Sequence, residues 1–302
     1  MSRRETLQRQ VLIVSTLRKR PASFSEVSEI LERESELNGY NFNISKRTFQ
    51  RDCQDISSLY NIEIVYDNSI RAYCIKYDDH SGLSEKMLET FDTLNALKLG
   101  NTLSEYIQFD NRRPKGTENL YGLIHSIKNR LVISFTYERF TDSGAFTRRV
   151  EPYALKEFKN RWYLIGKDQM NGNIRTYGLD RLEDLEITKQ KFLYPEDFSH
   201  EQHFRYSFGI IIPDENKPEE IILSFDSIAR KYIKSMPLHI SQKILLDRED
   251  ELIVSLNLCV TFDLVVEILS YGKHVKVIQP QSLIDQVVNS LKSSISRYSD
   301  TN

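Results

Sequence analysis

A stretch of strand-forming and turn-forming residues between positions 160 and 182 constrains the fold more than any other part of the chain. Its first third is rich in aromatic and β-branched side chains, which favours a β-strand. Asn171 and Gly172 follow, and this dipeptide is a strong signal for a tight hairpin turn. The next residues alternate, so Arg175 and Tyr177 face the same side of a second strand. The stretch therefore predicts an antiparallel hairpin with a polar face, although Arg175 is equally well explained as an ordinary solvated charge.

Short strands also surround this hairpin. Alternating or β-rich segments occupy residues 131–140, 146–155 and 185–190, and a short helix is predicted for residues 120–129. Several short strands at close spacing, introduced by a helix, are typical of a small β-barrel. The sequence therefore predicts a barrel domain in the middle of the chain.

Three sequence elements in this region occur in a distinctive order and spacing. They are Arg148-x-Val150-x-Pro152-Tyr153, then Arg161-Trp162-Tyr163-Leu164, and then Ile174-Arg175-Thr176-Tyr177-x-Leu179-Asp180-Arg181. In this arrangement the chain resembles the WYL domain, a family named for the Trp-Tyr-Leu tripeptide that stands here at positions 162–164. The resemblance implies a small barrel of the Sm-like, SH3-like type. It also implies a bacterial transcriptional regulator, in which an N-terminal winged helix and a C-terminal extension flank the WYL domain.

Helical periodicity dominates the N-terminal part of the chain. Helices are predicted for residues 3–20 and 23–31, and a third for residues 44–56, where Ser45 is a good N-cap. Two short strands follow within residues 62–75. The order of three helices and a hairpin predicts a winged helix-turn-helix.

The third of these helices carries the residues best suited to DNA. A recognition helix presents hydrogen-bond donors to base edges from its first half, while nearby cations meet phosphates. Because the whole chain has a formal net charge of −2, any DNA-binding region must be local. The alternative is a solvated helix face in a module that binds protein. The predicted DNA contacts are Ser45, Lys46, Arg47, Thr48, Gln50 and Arg51 in the helix, with Arg71 in the wing.

After Pro218 the strand and helix patterns alternate again. The predicted order of strand, helix, strand, strand, helix and strand is ferredoxin-like, and it resembles the WCX-type extension that accompanies WYL domains. The chain is thus predicted to be a multi-domain α+β protein. Its predicted parts are a winged helix-turn-helix DNA-binding domain (1–78), a helical linker (79–117), a ligand-sensing WYL β-barrel (118–191), a second linker (192–217) and the C-terminal extension (218–302).

The resemblance to the WYL domain also implies which residues hold an effector. Guanidinium groups suit phosphates and aromatic faces suit bases, so a nucleotide or a single-stranded nucleic acid is the implied ligand. Trp162 and Tyr163 point to opposite faces of their strand, and we expect Tyr163 to line the site and Trp162 to belong to the core. Many family members have His at the position of Tyr153, so a hydrogen bond made by that His is not carried over. The candidate ligand contacts are Arg148, Tyr153, Tyr163, Arg175, Tyr177 and Arg181.

Motifs of catalysis and of metal binding are absent from the sequence. It contains no P-loop, no dinucleotide-binding glycine motif, no zinc-protease motif and no nucleophile elbow. Its three cysteines lie far apart and match no metal or redox spacing, and His200 with His203 lacks further ligands. No stretch of about 18 apolar residues is present to span a membrane. We therefore expect a cytoplasmic, non-enzymatic protein without cofactor, bound metal or membrane partner.

Together these features predict a homodimeric regulator that binds double-stranded DNA and changes its DNA affinity when the WYL domain binds an effector. The resemblance places such regulators in phage defence and in the DNA-damage response, and the sequence favours neither process. A different class of function stays open, namely a scaffold or accessory protein in which the winged helix binds protein and the barrel binds RNA or peptide. Such a protein would show no salt-dependent affinity for DNA.

Overall fold

The computed structural model describes residues 3–38, 41–76, 87–91, 93, 115–140, 144–213 and 217–299. Within these residues the chain is a mixed α+β protein with three sheets. Its internal contacts divide it into two compact units, residues 1–111 and residues 112–302. The helix predicted within the 79–117 linker lies mostly outside the described residues. In the part of the chain that the structure covers, no helix is both long enough and apolar enough to cross a membrane.

Among its described residues, the first unit contains three helices and a two-stranded sheet, with further helical residues at 87–91 and 93. The elements are α1 (Arg3–Lys19), α2 (Phe24–Asn38), α3 (Lys46–Tyr60), β1 (Ile64–Asp67) and β2 (Ala72–Ile75), and the two strands are antiparallel. Ser45 caps α3 as predicted, since its hydroxyl oxygen accepts a hydrogen bond from the Thr48 N–H at 3.2 Å. Asn61 ends the helix in the left-handed conformation, at a φ of 55°. Phe49 and Ile56 are fully buried and anchor α3 in the core of the unit.

An antiparallel five-stranded sheet opens the second unit. The helix α4 (Leu120–Asn129) precedes the strands β3 (Leu131–Glu138), β4 (Ala145–Phe158), β5 (Arg161–Asp168), β6 (Ile174–Gly178) and β7 (Leu182–Lys191), which lie in the order β6-β5-β4-β3-β7. The predicted turn joins β5 to β6, with Gly172 at a φ of 73°. The strand β4 extends beyond its predicted end, because Lys159 and Asn160 form a two-residue turn at φ values of 48° and 60°.

Both faces of this sheet are covered. On the first face, Leu123 of α4 packs with Leu164 and Tyr177 in a buried core. On the second face, Val132 and Tyr153 pack against residues of the segment that follows β7, among them Phe192, Tyr194 and Phe198. The segment predicted as a linker is therefore part of the packed structure around the sheet.

A four-stranded antiparallel sheet with three helices forms the C-terminal domain (residues 217–299). The short helix α5 (His200–Phe204) lies in the segment before this domain. The domain itself contains β8 (Glu219–Asp226), α6 (Ala229–Ser235), β9 (Lys243–Asp247), β10 (Glu251–Leu258), α7 (Phe262–Ser270), β11 (Val275–Gln279) and α8 (Gln281–Ser299). The strands lie in the order β11-β8-β10-β9. Alternate residues of β8 and β10 share one core with Ile233, Leu264 and Leu283, which belong to the three helices. The helices therefore cover a single face of the sheet.

Candidate nucleic-acid interface and ligand site

The first candidate surface is the solvent face of α3. The side chains of Lys46, Arg47 and Arg51 are exposed, whereas Phe49 on the same helix is fully buried. The three cations therefore point away from the core of the first unit. Arg71 is also exposed, at a left-handed φ of 53° in the turn between β1 and β2. Exposed cations on a helix and on a hairpin turn can contact the phosphates of a nucleic acid.

Three other predicted DNA contacts already have partners inside the first unit. The Ser45 hydroxyl accepts the hydrogen bond from Thr48 N–H and lies 3.1 Å from the Thr48 hydroxyl. The side chain of Gln50 hydrogen-bonds to Tyr73, and the pKa of Tyr73 is nevertheless raised, mainly because its ring is buried. Ser45 and Thr48 thus hold the N-terminus of α3 in place, and Gln50 ties this helix to β2.

A buried ion pair that the sequence analysis missed fixes α3 against α1. Arg9 Nε lies 2.7 Å from Asp52 Oδ2 and Arg9 Nη2 lies 3.1 Å from Asp52 Oδ1, and both side chains are fully buried. A two-point contact of this kind holds both partners in one relative orientation. It therefore sets the position from which the neighbouring Arg51 projects. The sequence contained a signal, since Asp52 lies at helical spacing between the buried Phe49 and Ile56.

The carboxylate of Asp168 gathers two of the candidate ligand contacts in the second unit. Arg148 Nη1 lies 3.4 Å from Asp168 Oδ2, and the Tyr177 hydroxyl donates a hydrogen bond to the same oxygen at 2.9 Å. Asp168 is buried, and its other oxygen accepts a hydrogen bond from Met170 N–H at 2.8 Å. Burial and then the bond to Asp168 raise the pKa of Tyr177, so its hydroxyl keeps its proton. Arg148, Asp168 and Tyr177 form what we call the Asp168 cluster.

A second carboxylate lies between two arginines. Asp180 Oδ2 lies 3.3 Å from Arg161 Nη1, and Asp180 Oδ1 lies 3.5 Å from Arg181 Nε. The Arg181 guanidinium carbon lies 4.4 Å from the ring centroid of Phe140 and 5.2 Å from that of Tyr137. The buried Arg181 Nε makes no hydrogen bond within the described residues. Arg161, Asp180 and Arg181 form what we call the Asp180 cluster.

The two clusters meet through a pair of tyrosine rings. The ring centroids of Tyr137 and Tyr177 lie 5.1 Å apart, and the Tyr137 hydroxyl accepts a hydrogen bond from Gly178 N–H at 3.1 Å. A Cβ atom at position 178 would lie 2.5 Å from Asp180 Oδ1 and 2.7 Å from Arg181 Nη2, so any larger residue there would displace these side chains. Arg175 is exposed two residues before Tyr177 and therefore lies on the same side of β6. Four of the six candidate ligand contacts thus converge on this region.

Exposed apolar side chains border both clusters. Phe140 is 77% exposed, Phe146 is 43% exposed and Met170 is 72% exposed. The guanidinium carbon of Arg148 lies 5.7 Å from the Phe146 ring centroid, which parallels the contact between Arg181 and Phe140. Exposed aromatic rings beside arginines suit a ligand that combines flat rings with phosphates.

The other two candidate ligand contacts lie on the second face of the sheet. Tyr153 packs against Phe198, with ring centroids 5.0 Å apart, and its hydroxyl donates a hydrogen bond to Glu151 Oε2 at 3.2 Å. Tyr163 is buried, and burial is the main reason that its pKa is raised, while the charges of the Asp180 cluster also act on it. Trp162 is half-buried and packs against the core on the first face, where it was predicted. Tyr163 therefore lies within electrostatic reach of the Asp180 cluster, and Tyr153 belongs to a separate aromatic group.

The described residues also show what the histidine pair does. His203 packs its ring against Phe198 and Phe204, with centroids 5.3 and 5.1 Å away, and burial lowers its pKa. Within these residues no group of three or more His, Cys, Asp or Glu side chains could hold a metal ion. Asp168 and Asp180, the two carboxylates that organise the arginines, were not identified from the sequence.

Comparisons with known protein families divide the second unit in two. The family model described as the WYL domain matches residues 118–187, and the one described as the WCX domain matches residues 217–294. Both clusters lie within the first of these matches. No curated protein matches the chain.

Sixteen chains of solved structures are similar to this chain. One is proteasome accessory factor B/C (PafBC) of Arthrobacter aurescens, with 20% identity over 95% of this chain and 46% of that chain and a TM-score of 0.35. Another is a CRISPR Cas-related protein, with 12% identity over 88% of this chain and 77% of that chain and a TM-score of 0.39. The chain therefore spans less than half of the length of the PafBC chain.

Proposed function

We propose that this chain, which carries a WYL domain followed by a WCX domain, is a transcriptional regulator that binds double-stranded DNA and senses a nucleotide or a single-stranded nucleic acid. In this proposal the first unit is a winged helix-turn-helix, the five-stranded sheet is an Sm-like barrel and the C-terminal domain is ferredoxin-like. The regulator acts as a homodimer, because two-fold symmetry matches paired DNA half-sites. The effector alters DNA binding by preferring one conformation of the regulator.

The exposed cations of α3 support the DNA-binding part of the proposal. Lys46, Arg47 and Arg51 lie on one solvent face, while the buried pair of Arg9 and Asp52 holds the helix that carries them. A firmly held helix presents its side chains with less loss of conformational freedom on binding. In the proposal, Arg47 and Arg51 contact DNA, and Arg71 adds a backbone contact from the hairpin turn.

The proposal that this protein senses a nucleotide or a single-stranded nucleic acid rests on the environment of Arg181. Its guanidinium group lies 4.4 Å from the exposed ring of Phe140, and its Nε is buried without a hydrogen bond in the described residues. A buried N–H group that has an ionic neighbour but makes no hydrogen bond is unfavourable, and a ligand oxygen would accept a hydrogen bond from it. The neighbouring ring offers a face on which a base can stack. A phosphate-bearing ligand with a base therefore fits this place better than a purely apolar one.

A gel-shift titration tests the DNA-binding part. The purified protein is titrated against the DNA upstream of its own coding region at 50 and at 200 mM salt. The Arg47→Ala/Arg51→Ala variant should bind more weakly, with a log–log salt slope shallower by about 2, one unit for each phosphate that the variant no longer neutralises. Arg33→Ala is the matched control, because Arg33 is an exposed arginine on α2 that is not among the assigned DNA contacts. Equal binding by the double variant and the control would refute the assigned interface.

The same assay with added single-stranded oligonucleotide or nucleotide tests the sensing part. An effector should change the wild-type shift and leave the Arg181→Ala variant unaffected. A wild-type protein that binds DNA but never responds would refute the proposed sensing role. Absence of any salt-dependent shift from folded protein would instead favour the alternative function, a scaffold in which the first unit binds protein.

A further inference from the structure

The tip of the hairpin between β4 and β5 docks against the C-terminal domain. Lys159 Nζ lies 2.6 Å from Glu267 Oε2 on α7. Phe158 packs against the core of the C-terminal domain, and its ring meets that of Phe208 edge-on with centroids 5.9 Å apart. The turn residues Lys159 and Asn160 both have left-handed φ values, which fit a tight two-residue turn. The tip is therefore held by an ion pair and by apolar packing.

A second contact with this part of the chain is made by Lys156 on β4, three residues before Lys159. Lys156 Nζ donates a hydrogen bond to the backbone oxygen of Gly209 at 2.6 Å and lies 3.7 Å from the ring centroid of Phe204. Asp263 on α7 accepts hydrogen bonds in turn from the two backbone N–H groups that follow, those of Ile210 and Ile211. Hydrogen bonds to Lys156 of β4 and to Asp263 of α7 thus hold the segment around Gly209 between these two elements. The hairpin is therefore linked to α7 by two routes, directly at Glu267 and through the segment at Gly209 to Asp263.

A bulge in β4 turns these side chains toward the C-terminal domain. The register between β4 and β5 shifts between Pro152 and Ala154, so β4 carries one extra residue there. Because side chains alternate along a strand, the extra residue moves Lys156 and Phe158 to the face opposite to the one they would otherwise occupy. Gly166 permits the close approach at this point, since a Cβ atom there would lie 2.5 Å from a backbone oxygen of β4.

The same hairpin reaches the Asp180 cluster. Arg161 is the first residue of β5, and it pairs with Phe158 across the hairpin. Its contact with Asp180, at 3.3 Å, and that of Asp180 with Arg181, at 3.5 Å, are both longer than the roughly 2.7–2.9 Å of a strong charge-assisted bond. Neither arginine therefore has the short contact to Asp180 that a strong charge-assisted hydrogen bond would give. Only Asn160 separates the residue that contacts Asp180 from the residue that contacts Glu267.

We infer that the tip of the β4–β5 hairpin couples the Asp180 cluster to the C-terminal domain, with Lys159 as a positioning residue. An anion that takes the place of Asp180 at Arg181 changes how Arg161 is held, and the tip passes this change to Glu267 and α7. The physical basis is a continuous set of contacts, from Arg181 through Asp180 to Arg161 and from Lys159 to Glu267, across a hairpin with a tight two-residue turn. The inference rests on the proposed function in one respect, that an anionic ligand binds at the Asp180 cluster.

A double-mutant cycle without ligand tests the coupling directly. The full chain is compared as wild type, Asp180→Asn, Lys159→Met and the double variant, and amide hydrogen exchange of α7 is read by mass spectrometry. Asp180→Asn should raise α7 exchange by about three-fold in the wild-type background, a modest coupling for residues in one network. In the Lys159→Met background it should have almost no effect. Lys159→Arg should restore the response, because it keeps the cation that faces Glu267.

The control is Lys189→Met, which removes an exposed cation from β7 of the same sheet. In this background Asp180→Asn should act on α7 as it does in the wild type. An equal effect of Asp180→Asn with and without Lys159 would overturn the inference, and so would the absence of any effect on α7. Neither result depends on a ligand.

A separate measurement tests the proposed ligand class. A twelve-nucleotide oligo(dT) is titrated into the wild type while the fluorescence of Trp162, the single tryptophan of the chain, is recorded. A saturable change that is lost in Arg181→Ala supports the ligand class. If oligo(dT) and nucleotides give no change, the proposed ligand class fails, and the cycle still decides whether the hairpin couples the two regions.

Discussion

Removing one partner of the buried ion pair in the first unit tests how firmly α3 is held. Arg9 and Asp52 are both fully buried and are joined by contacts of 2.7 and 3.1 Å. Arg9→Met leaves the Asp52 carboxylate in the core without this counter-charge, and such a loss typically costs about 3–5 kcal/mol. Replacing both residues, as in Arg9→Met/Asp52→Leu, removes the buried charge together with its partner. Replacement of a whole buried pair by apolar side chains is often neutral or stabilising.

Hydrogen exchange of the α3 amides measures this difference within the full chain. Because each 1.4 kcal/mol is a factor of ten, Arg9→Met should lower the protection of α3 by about two to nearly four powers of ten. The double variant should recover most of that protection. Arg33→Met on the exposed surface of α2 is the matched control, and it should change protection by about two-fold at most. The reasoning is refuted if Arg9→Met stays within ten-fold of wild type, or if the double variant is no better protected than the single one.

Three further predictions concern the second unit. Gly178→Ala should separate Asp180 from its arginines and destabilise this unit, since a Cβ atom would lie 2.5 Å from Asp180 Oδ1. Urea unfolding followed by Trp162 fluorescence measures the loss of stability. Phe140→Ala should weaken binding of a stacked base by about 1–3 kcal/mol and leave unfolding unchanged, because the ring is exposed. Burial lowers the pKa of Lys156 to about 8 in the folded protein, below its value in the unfolded chain. Because the unfolded chain then binds more protons above pH 8, the wild type should gain stability as the pH rises above 8. Lys156→Met should lack that gain when urea titrations at about pH 7.5 and about pH 9.5 are compared.

Local rules predicted those parts of the fold that depend on neighbouring residues. The turn at Asn171 and Gly172 needs one residue that accepts a positive φ, and Gly172 supplies it. The start of α3 needs a side-chain acceptor for a free N–H group, and Ser45 supplies it. Both were confirmed because the chain within a few residues decides the outcome. The predicted order of strands and helices after Pro218 was confirmed for the same reason, since hydrophobic periodicity is also a local property.

Contacts between distant residues could not be predicted in this way. Arg9 and Asp52 lie 43 positions apart, and Arg148 and Asp168 lie 20 positions apart, so no local pattern links them. The position of Tyr153, in contrast, was available from the sequence. It lies an odd number of residues after Arg148 on one strand, and alternation alone puts the two side chains on opposite faces. Its role as a ligand contact stays a prediction, and any such role requires a site other than the Asp168 cluster.

The internal carboxylates constrain the kind of ligand that the proposed site can bind. Arg148 faces Asp168 and Arg181 faces Asp180, so a single phosphate at either arginine merely exchanges one anion for another. The net gain from such an exchange is small, because the arginine gives up one ionic partner when it takes the next. A chain of phosphates that reaches both arginines and the exposed Arg175 gains in a further way. It releases condensed counterions when it binds, and this release favours binding.

Binding of a single-stranded oligonucleotide through these three arginines should therefore weaken with salt at a log–log slope of about −2, from about −0.7 per contact. A mononucleotide lacks most of this gain and should bind weakly at every salt concentration. Titrations of oligo(dT) and of thymidine monophosphate at four salt concentrations, read by Trp162 fluorescence, compare the two. Equal affinity for both ligands would mean that one arginine accounts for the binding, and the internal carboxylates would then not select for a polyanion.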